Sequence, residues 1–239
     1  VADAEVIEPE TAAPLPPEDG KEIVEADHPT RAADGPGVPR TSTLLNVIGE
    51  TYNYRPGDEN DYARSPEDAA WLHRHGYMDT FSHSYLVRAD VEELRAAADQ
   101  DLRIQVMAAL RMAMSGRYGN EPILMLQDAA ARGSVYALEV LGDVYFTAPA
   151  YRNPALGAAY YDLVIRRGDW AVAFKKRAQV GNLAADRLFL ADLYAEAAWQ
   201  EIVALRQRLG LLPFAAPEPR PGLHEGLRVA QELMAGQGG

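Results

Sequence analysis

Residues 129–168 read AAARGSVYALEVLGDVYFTAPAYRNPALGAAYYDLVIRRG. Gly133 takes the left-handed backbone that closes a helix at no steric cost. Ser134 follows at once, and serine is a favoured N-cap, its hydroxyl accepting from a free N–H of the next helix. One helix therefore ends and another starts with almost no loop. Gly168-Asp169 repeats the device, and Gly181-Asn182 repeats it again. This punctuation predicts tightly folded antiparallel helices. Between the first two marks, Ala137, Leu138, Leu141, Val144 and Tyr145 recur at three- and four-residue spacing, which predicts an apolar face on a helix over 135–146. Glu139 and Asp143 fall off that face and are expected in water. Pro149 interrupts the pattern. Asn153-Pro154 restarts it with a cap and a proline at the first helical position, where the missing N–H costs nothing. Arg166 and Arg167 close this second helix with the sign of charge its C-terminal end favours.

Ala129, Ala130, Ala137, Gly142, Gly157 and Ala158 are expected where helices cross. A small residue at a crossing lets two backbones come close, with a larger neighbour such as Tyr145 or Tyr160 filling the space beside it.

On these residues the window resembles a Sel-one-like repeat, a relative of the tetratricopeptide repeat. Ala129, Ala130, Gly133, Ala137, Leu141, Gly142 and Tyr145 occupy the positions of that family's first-helix pattern. In the second helix Asn153 stands for the family's Asp, Gly157 for an Ala, Tyr160 for the aromatic, and Gly168 closes the unit. The loop glycines are replaced around Ala148 and Ala150, and the second alanine pair is Val164-Ile165. Weaker echoes lie over 96–128 and 169–194. The resemblance implies an all-α fold: a short right-handed α-solenoid of antiparallel helix pairs over 41–239, preceded by an extended tail over 1–40. It also implies an adaptor, since several proteins of this kind serve bacterial envelope and export assemblies. In such arrays the first helix of each unit lines the concave side. The expected partner-binding residues are therefore Tyr136, Glu139, Asp143, Arg187 and Asp192.

Composition narrows the function classes. Of a net charge of −12, the first 40 residues carry −7, together with seven of the sixteen prolines. That composition reads as an acidic linker. An acidic chain with no basic patch is a poor ligand for nucleic acid, whose binding depends on neutralising phosphates. There is no cysteine, which excludes a disulfide framework and thiolate metal sites. No run is long and apolar enough to insert in a membrane. Val1 stands where a Met is usual, so either a leader has been removed, which favours the periplasm or cell envelope, or the sequence is truncated, which leaves the cytoplasm as the alternative. Of 23 basic residues only Lys21, Lys175 and Lys176 are lysines.

Along the rest of the chain, Leu44 to Ile48 predicts a brief helix ending before Gly49. The acidic loop Asp58-Glu59-Asn60-Asp61 lacks the alternation and glycine of a calcium loop. Ser65-Pro66-Glu67-Asp68 and Asp90 to Glu93 are helix starts. A helix over 101–114 has Leu102, Val106, Ala109, Leu110 and Ala113 on one face, with Met107, Met112 and Met114 expected as core filler. A long helix runs from beyond Asn182 to Arg208 and ends at Gly210. A Pro-rich loop over 217–221 leads to a last amphipathic helix over 223–234. His73 and His75 lie two apart, off the four-residue spacing of a helical metal pair. No nucleophile elbow, phosphate loop or metal cluster is visible, so no catalytic residue, metal or cofactor is expected. The leading functional expectation is a non-catalytic protein–protein scaffold. One alternative is an immunity or inhibitor protein that masks a basic partner. Another is a helical enzyme or hydrolase accessory with its site near His73, His83, Glu92 and Glu93.

Overall fold

The computed structural model describes residues 40–58, 61–181 and 183–222. Of the tail expected over 1–40 all but Arg40, which begins a helix, lies outside them, as does the expected closing helix over 223–234. The described residues are mostly helix, with no strand. In order the helices are α1 (Arg40–Ile48), α2 (Pro66–Arg74), α3 (Thr80–Arg88), α4 (Val91–Ala97), α5 (Leu102–Ser115), α6 (Glu121–Ala131), α7 (Val135–Thr147), α8 (Pro154–Arg166), α9 (Val172–Val180) and α10 (Ala185–Arg208).

The local signals act as read. Ser65 caps α2 by accepting from the Asp68 N–H, Asp90 caps α4 through the Glu92 and Glu93 N–H groups, and Asn153 caps α8 through the Leu156 N–H. At the N-terminus of α7 the Ser134 hydroxyl accepts from the Ala137 N–H. The two preceding free donors, Val135 N–H and Tyr136 N–H, both find the His75 carbonyl, at 2.9 and 3.2 Å. The turn after α2 is thereby clamped to the start of α7, with most of the orphan donors of that helix end satisfied. Gly133 and Gly168 have φ of +115° and +110°, as a closing glycine requires. Gly181 does not behave this way: its φ is −55°, right-handed, and α9 ends without the expected left-handed cap.

Neighbouring helices pack in sequence from α4 to α9, α5 also meets α7, and α10 returns across α8 and α6. The α7–α8 pair is antiparallel, because contact positions that rise along α7 fall along α8: Gly142 meets Tyr161, and Phe146 meets Gly157. These two rings stack on one another, centroids 5.5 Å apart, and each presses on a glycine of the opposite helix. Tyr161 and Phe146 thus fill the space beside the small residues. The expected pair, Tyr145 and Tyr160, stacks separately at 5.6 Å.

α5 joins two apolar clusters. Its Val106, Ala109 and Ala113 enter a large core with α2, α6, α7, α8 and α10, while Ile104, Met107 and Ala108 face a smaller one with α1, α3 and α4. Met107 and Met112 are buried, but Met114 is half exposed and fills no core. Each fully buried Leu or Met contributes about 1.5–3 kcal/mol of transfer free energy.

After Gly210 the chain forms a strap that crosses back over the bundle. Phe214 stacks on Trp199 of α10 at 5.1 Å, under the guanidinium groups of Arg167 and Arg206. Trp71 Nε1 donates to the Glu218 carbonyl at 2.9 Å, and Arg74 pairs with the Glu218 carboxylate. The Arg220 N–H then donates to the Gly168 carbonyl at 3.0 Å. No helix among the described residues is long and apolar enough to cross a membrane.

Candidate functional site

A cavity of about 360 Å³ lies between the turn after α2, the start of α3, one face of α7, and α9. The periodicity of α7 puts Tyr136, Glu139, Val140 and Asp143 on that face, since three- and four-residue steps keep side chains on one side of a helix. The residues expected in open water are therefore half-buried and turned inward. The clamp between His75 and α7 sets Tyr77 beside Tyr136, ring centroids 5.0 Å apart. Gly76 has φ +82°, and a Cβ there would come within 2.5 Å of Ser134 Oγ, so the close approach requires glycine.

The charges form two groups. Lys175, from α9, donates from Nζ to Glu139 Oε1 at 2.8 Å and to Asp143 Oδ2 at 2.7 Å. The Tyr161 hydroxyl donates to the other Asp143 oxygen at 2.5 Å. In the second group Arg220 donates from Nε to Asp68 Oδ1 at 2.7 Å and from Nη1 to Asp169 Oδ2 at 3.3 Å, while Tyr77 donates its hydroxyl to Asp169 Oδ2 at 2.9 Å. Asp169 Oδ1 also accepts from the Ala171 N–H at 3.0 Å. Asp169 was expected to cap a helix start, but α9 begins at Val172 with Ala171 in the cap position and no side-chain cap bond; Asp169 instead holds the turn before the helix and supplies a carboxylate to the cavity.

Burial raises the Glu139 carboxyl above its ordinary range, and Lys175 offsets only part of this. Lys175 is raised as well: burial works against its charge, but Glu139 and Asp143 together outweigh it. The two directions agree physically. One ammonium faces two carboxylates, so the lysine keeps its proton and Glu139 is the carboxyl readiest to take one. Burial also pushes the Tyr77 and Tyr136 hydroxyls well above the phenol range and holds the His83 imidazole below its usual value. Every buried side-chain polar atom among the described residues is satisfied. The Tyr136 hydroxyl and the His83 ring have no hydrogen-bond partner among the described residues, and both line the cavity. Tyr136 is enclosed within electrostatic reach of Glu139, Tyr62 and Asp143, and its remaining accessible surface opens onto the cavity. Met78, Leu110, Val140 and Val172 supply apolar wall.

Of the five residues expected to bind a partner, Tyr136, Glu139 and Asp143 meet in this cavity. Arg187 and Asp192 sit on α10, exposed and away from it. His73, His83 and Glu92 share no contact: His73 Nδ1 faces Arg103, His83 lines the cavity beside Tyr62, and Glu92 accepts from the Tyr118 hydroxyl. Among the described residues no group of three or more His, Asp or Glu could hold a metal ion. Asp61, from the acidic loop, is buried and accepts from the Tyr52 hydroxyl and the Arg55 and Ala63 N–H groups, so its oxygens hold its own loop together. Lys175 and Arg220 were not legible as site residues. The one local signal is compositional, since Lys175 is a lysine in a chain that otherwise uses arginine almost throughout.

Comparison with known protein families, with curated proteins and with solved structures finds no match to this chain.

Proposed function

We propose that this protein is a non-catalytic adaptor that binds another protein, built as a short tetratricopeptide-like solenoid. What carries the reading is exposed apolar surface on and beside α9 and α10. Trp170, in the turn before α9, and Phe174, in its first turn, are 51% and 68% exposed, and Phe189 and Leu193 of α10 are 64% and 54% exposed. Phe189 and Leu193 repeat at four residues, the spacing of a helix face. Large apolar side chains left exposed on a helix are candidates for contact with a partner. Arg187 and Asp192 lie on the same stretch of α10 and would form the polar rim of such a contact. The succession of packed neighbours, with α5 reaching α7 past α6, supports stacked helix pairs. A site in a bacterial envelope assembly accords with the resemblance of residues 129–168.

The test replaces Phe174 and Phe189 together by Ser and compares partners captured from native lysate by mass spectrometry, with the melting temperature as control. A partner lost at unchanged melting temperature is the expected outcome. Identical partner sets from both proteins would sink the reading.

A further inference from the structure

The cavity holds more negative charge than the protein neutralises. Three carboxylates line it, Glu139, Asp143 and Asp169, against two cations, Lys175 and Arg220, and Arg220 is shared with a fourth carboxylate outside the lining, Asp68. Each cation is already bound to two carboxylates, so neither is free to receive an anionic ligand. His83, the remaining basic group of the wall, is held toward neutrality by burial. An enclosed, uncompensated negative charge favours a cation.

The protein's own lysine demonstrates the chemistry. The Lys175 ammonium sits between two carboxylates, 5.6 Å from the Tyr161 ring. Next to it the cavity repeats the same ingredients without an occupant of their own. Glu139 is shared with Lys175, the Tyr136 hydroxyl has no hydrogen-bond partner among the described residues, and the Tyr77 and Tyr136 rings line the wall where a cation would sit. Met78, Leu110 and Val140 make an apolar wall, suited to an alkyl chain behind the charged head. The space, about 360 Å³, falls within the range of small-ligand sites.

We infer that this cavity binds a primary alkylammonium ion, which donates to Glu139 and to the Tyr136 hydroxyl beside Lys175 and lays its chain along Met78, Leu110 and Val140. Lys175 is then an internal competitor for Glu139. A raised Glu139 carboxyl accords with this, because a second cation would compensate the charge that burial penalises. The site is independent of the adaptor reading, whose test changes only exposed residues of α9 and α10.

Calorimetric titration at neutral pH with n-butylammonium chloride, n-butanol and sodium butyrate tests the assignment. Butylammonium is expected to bind saturably, butanol about tenfold more weakly or worse, and butyrate not at all. Tyr136→Phe, at unchanged melting temperature, should weaken butylammonium several-fold, and Lys175→Met should strengthen it about tenfold by removing the competitor. Cadaverine and N-acetyl-lysine methylamide separate the sources of such a group. Tighter binding of cadaverine assigns the site to free amines, and tighter binding of the lysine amide assigns it to a lysine of a polypeptide. Butanol or butyrate matching butylammonium, no saturable binding, or an affinity unmoved by both substitutions would overturn the inference.

Discussion

Arg220 and Asp68 are joined across 152 residues of chain by a buried two-point ion pair, Nε to Oδ1 at 2.7 Å and Nη2 to Oδ2 at 3.2 Å. Asp68 is fully buried in the first turn of α2, and Arg220 ends the strap that follows α10. A Cβ on Gly222 would come within 2.5 Å of Asp68 Oδ2, so the strap lies directly on the carboxylate. Removing one partner of a buried pair leaves a charge without compensation. Arg220→Met should therefore destabilise by about 3–5 kcal/mol. Adding Asp68→Asn should recover part of that loss, since the stranded charge goes too. Urea melts of the two single variants and the double variant give the coupling. Additive effects would mean that the pair does not hold the strap.

Two glycines of the α7–α8 crossing should respond unequally to a methyl group. A Cβ on Gly142 would press into the Tyr161 ring, which is buried, stacked on Phe146 and tied to Asp143. A Cβ on Gly157 would meet Phe146 at 2.7 Å, and Phe146 is only half-buried and has room to give. Gly142→Ala should cost about 1–3 kcal/mol, the scale of overpacking. Gly157→Ala should cost less, and thermal melts that reverse the order would place the rigid ring on the other side.

Gly168 and Gly133 share a backbone that L side chains rarely adopt, but only one is crowded. Open space surrounds Gly133, so Gly133→Ala should cost only backbone strain, about 1–2 kcal/mol. At Gly168 a Cβ would run into the Glu218 carbonyl of the strap. Gly168→Ala should cost more, and should expose the strap to protease at its Pro-rich segment. Equal stabilities with an uncut strap would contradict this.

Acid should weaken the fold through its histidines. Burial is the first cause that holds His73, His75 and His83 below the ordinary imidazole value. His75 also stacks on Trp71 at 3.8 Å. Such a group binds its proton more readily unfolded. Its contribution is thus complete above about pH 6.5 and is lost as pH falls through the folded value. Imidazole resonances followed by NMR should titrate below about pH 6.5 at all three positions.

Glu139 works in the opposite sense. Its raised carboxyl favours the protonated form in the folded state, so its contribution is complete below about pH 4.3 and is lost as pH rises through the folded value. Relative to wild type, Glu139→Gln should gain stability as pH rises above about 4.3. A difference that shrinks over that range would show that pairing with Lys175 outweighs burial.

The sequence by itself determined what depends on a few neighbouring residues. Ser65-Pro66, Asp90, Asn153-Pro154 and Ser134 each satisfy N–H groups within three positions, so the helix starts were readable without any knowledge of packing. The left-handed glycines at 133, 168 and 210 were readable for the same reason. The face of α7 that carries Tyr136, Glu139 and Asp143 followed from helical spacing. Whether that face meets water or a cavity did not, because this depends on α9 and on the turn after α2, elements distant in the chain. Gly181 was misread: glycine permits the left-handed closing turn but does not impose it, and here φ is −55°. Asp68 reads locally as one of two acids in a first turn, and Asp169 as a cap. Only the returning strap, which brings Arg220 to both, makes them a buried ion-pair network. The charge balance of the cavity is likewise a property of tertiary structure. It depends on which carboxylates are enclosed together, and in a low-dielectric interior proximity decides what each charge costs.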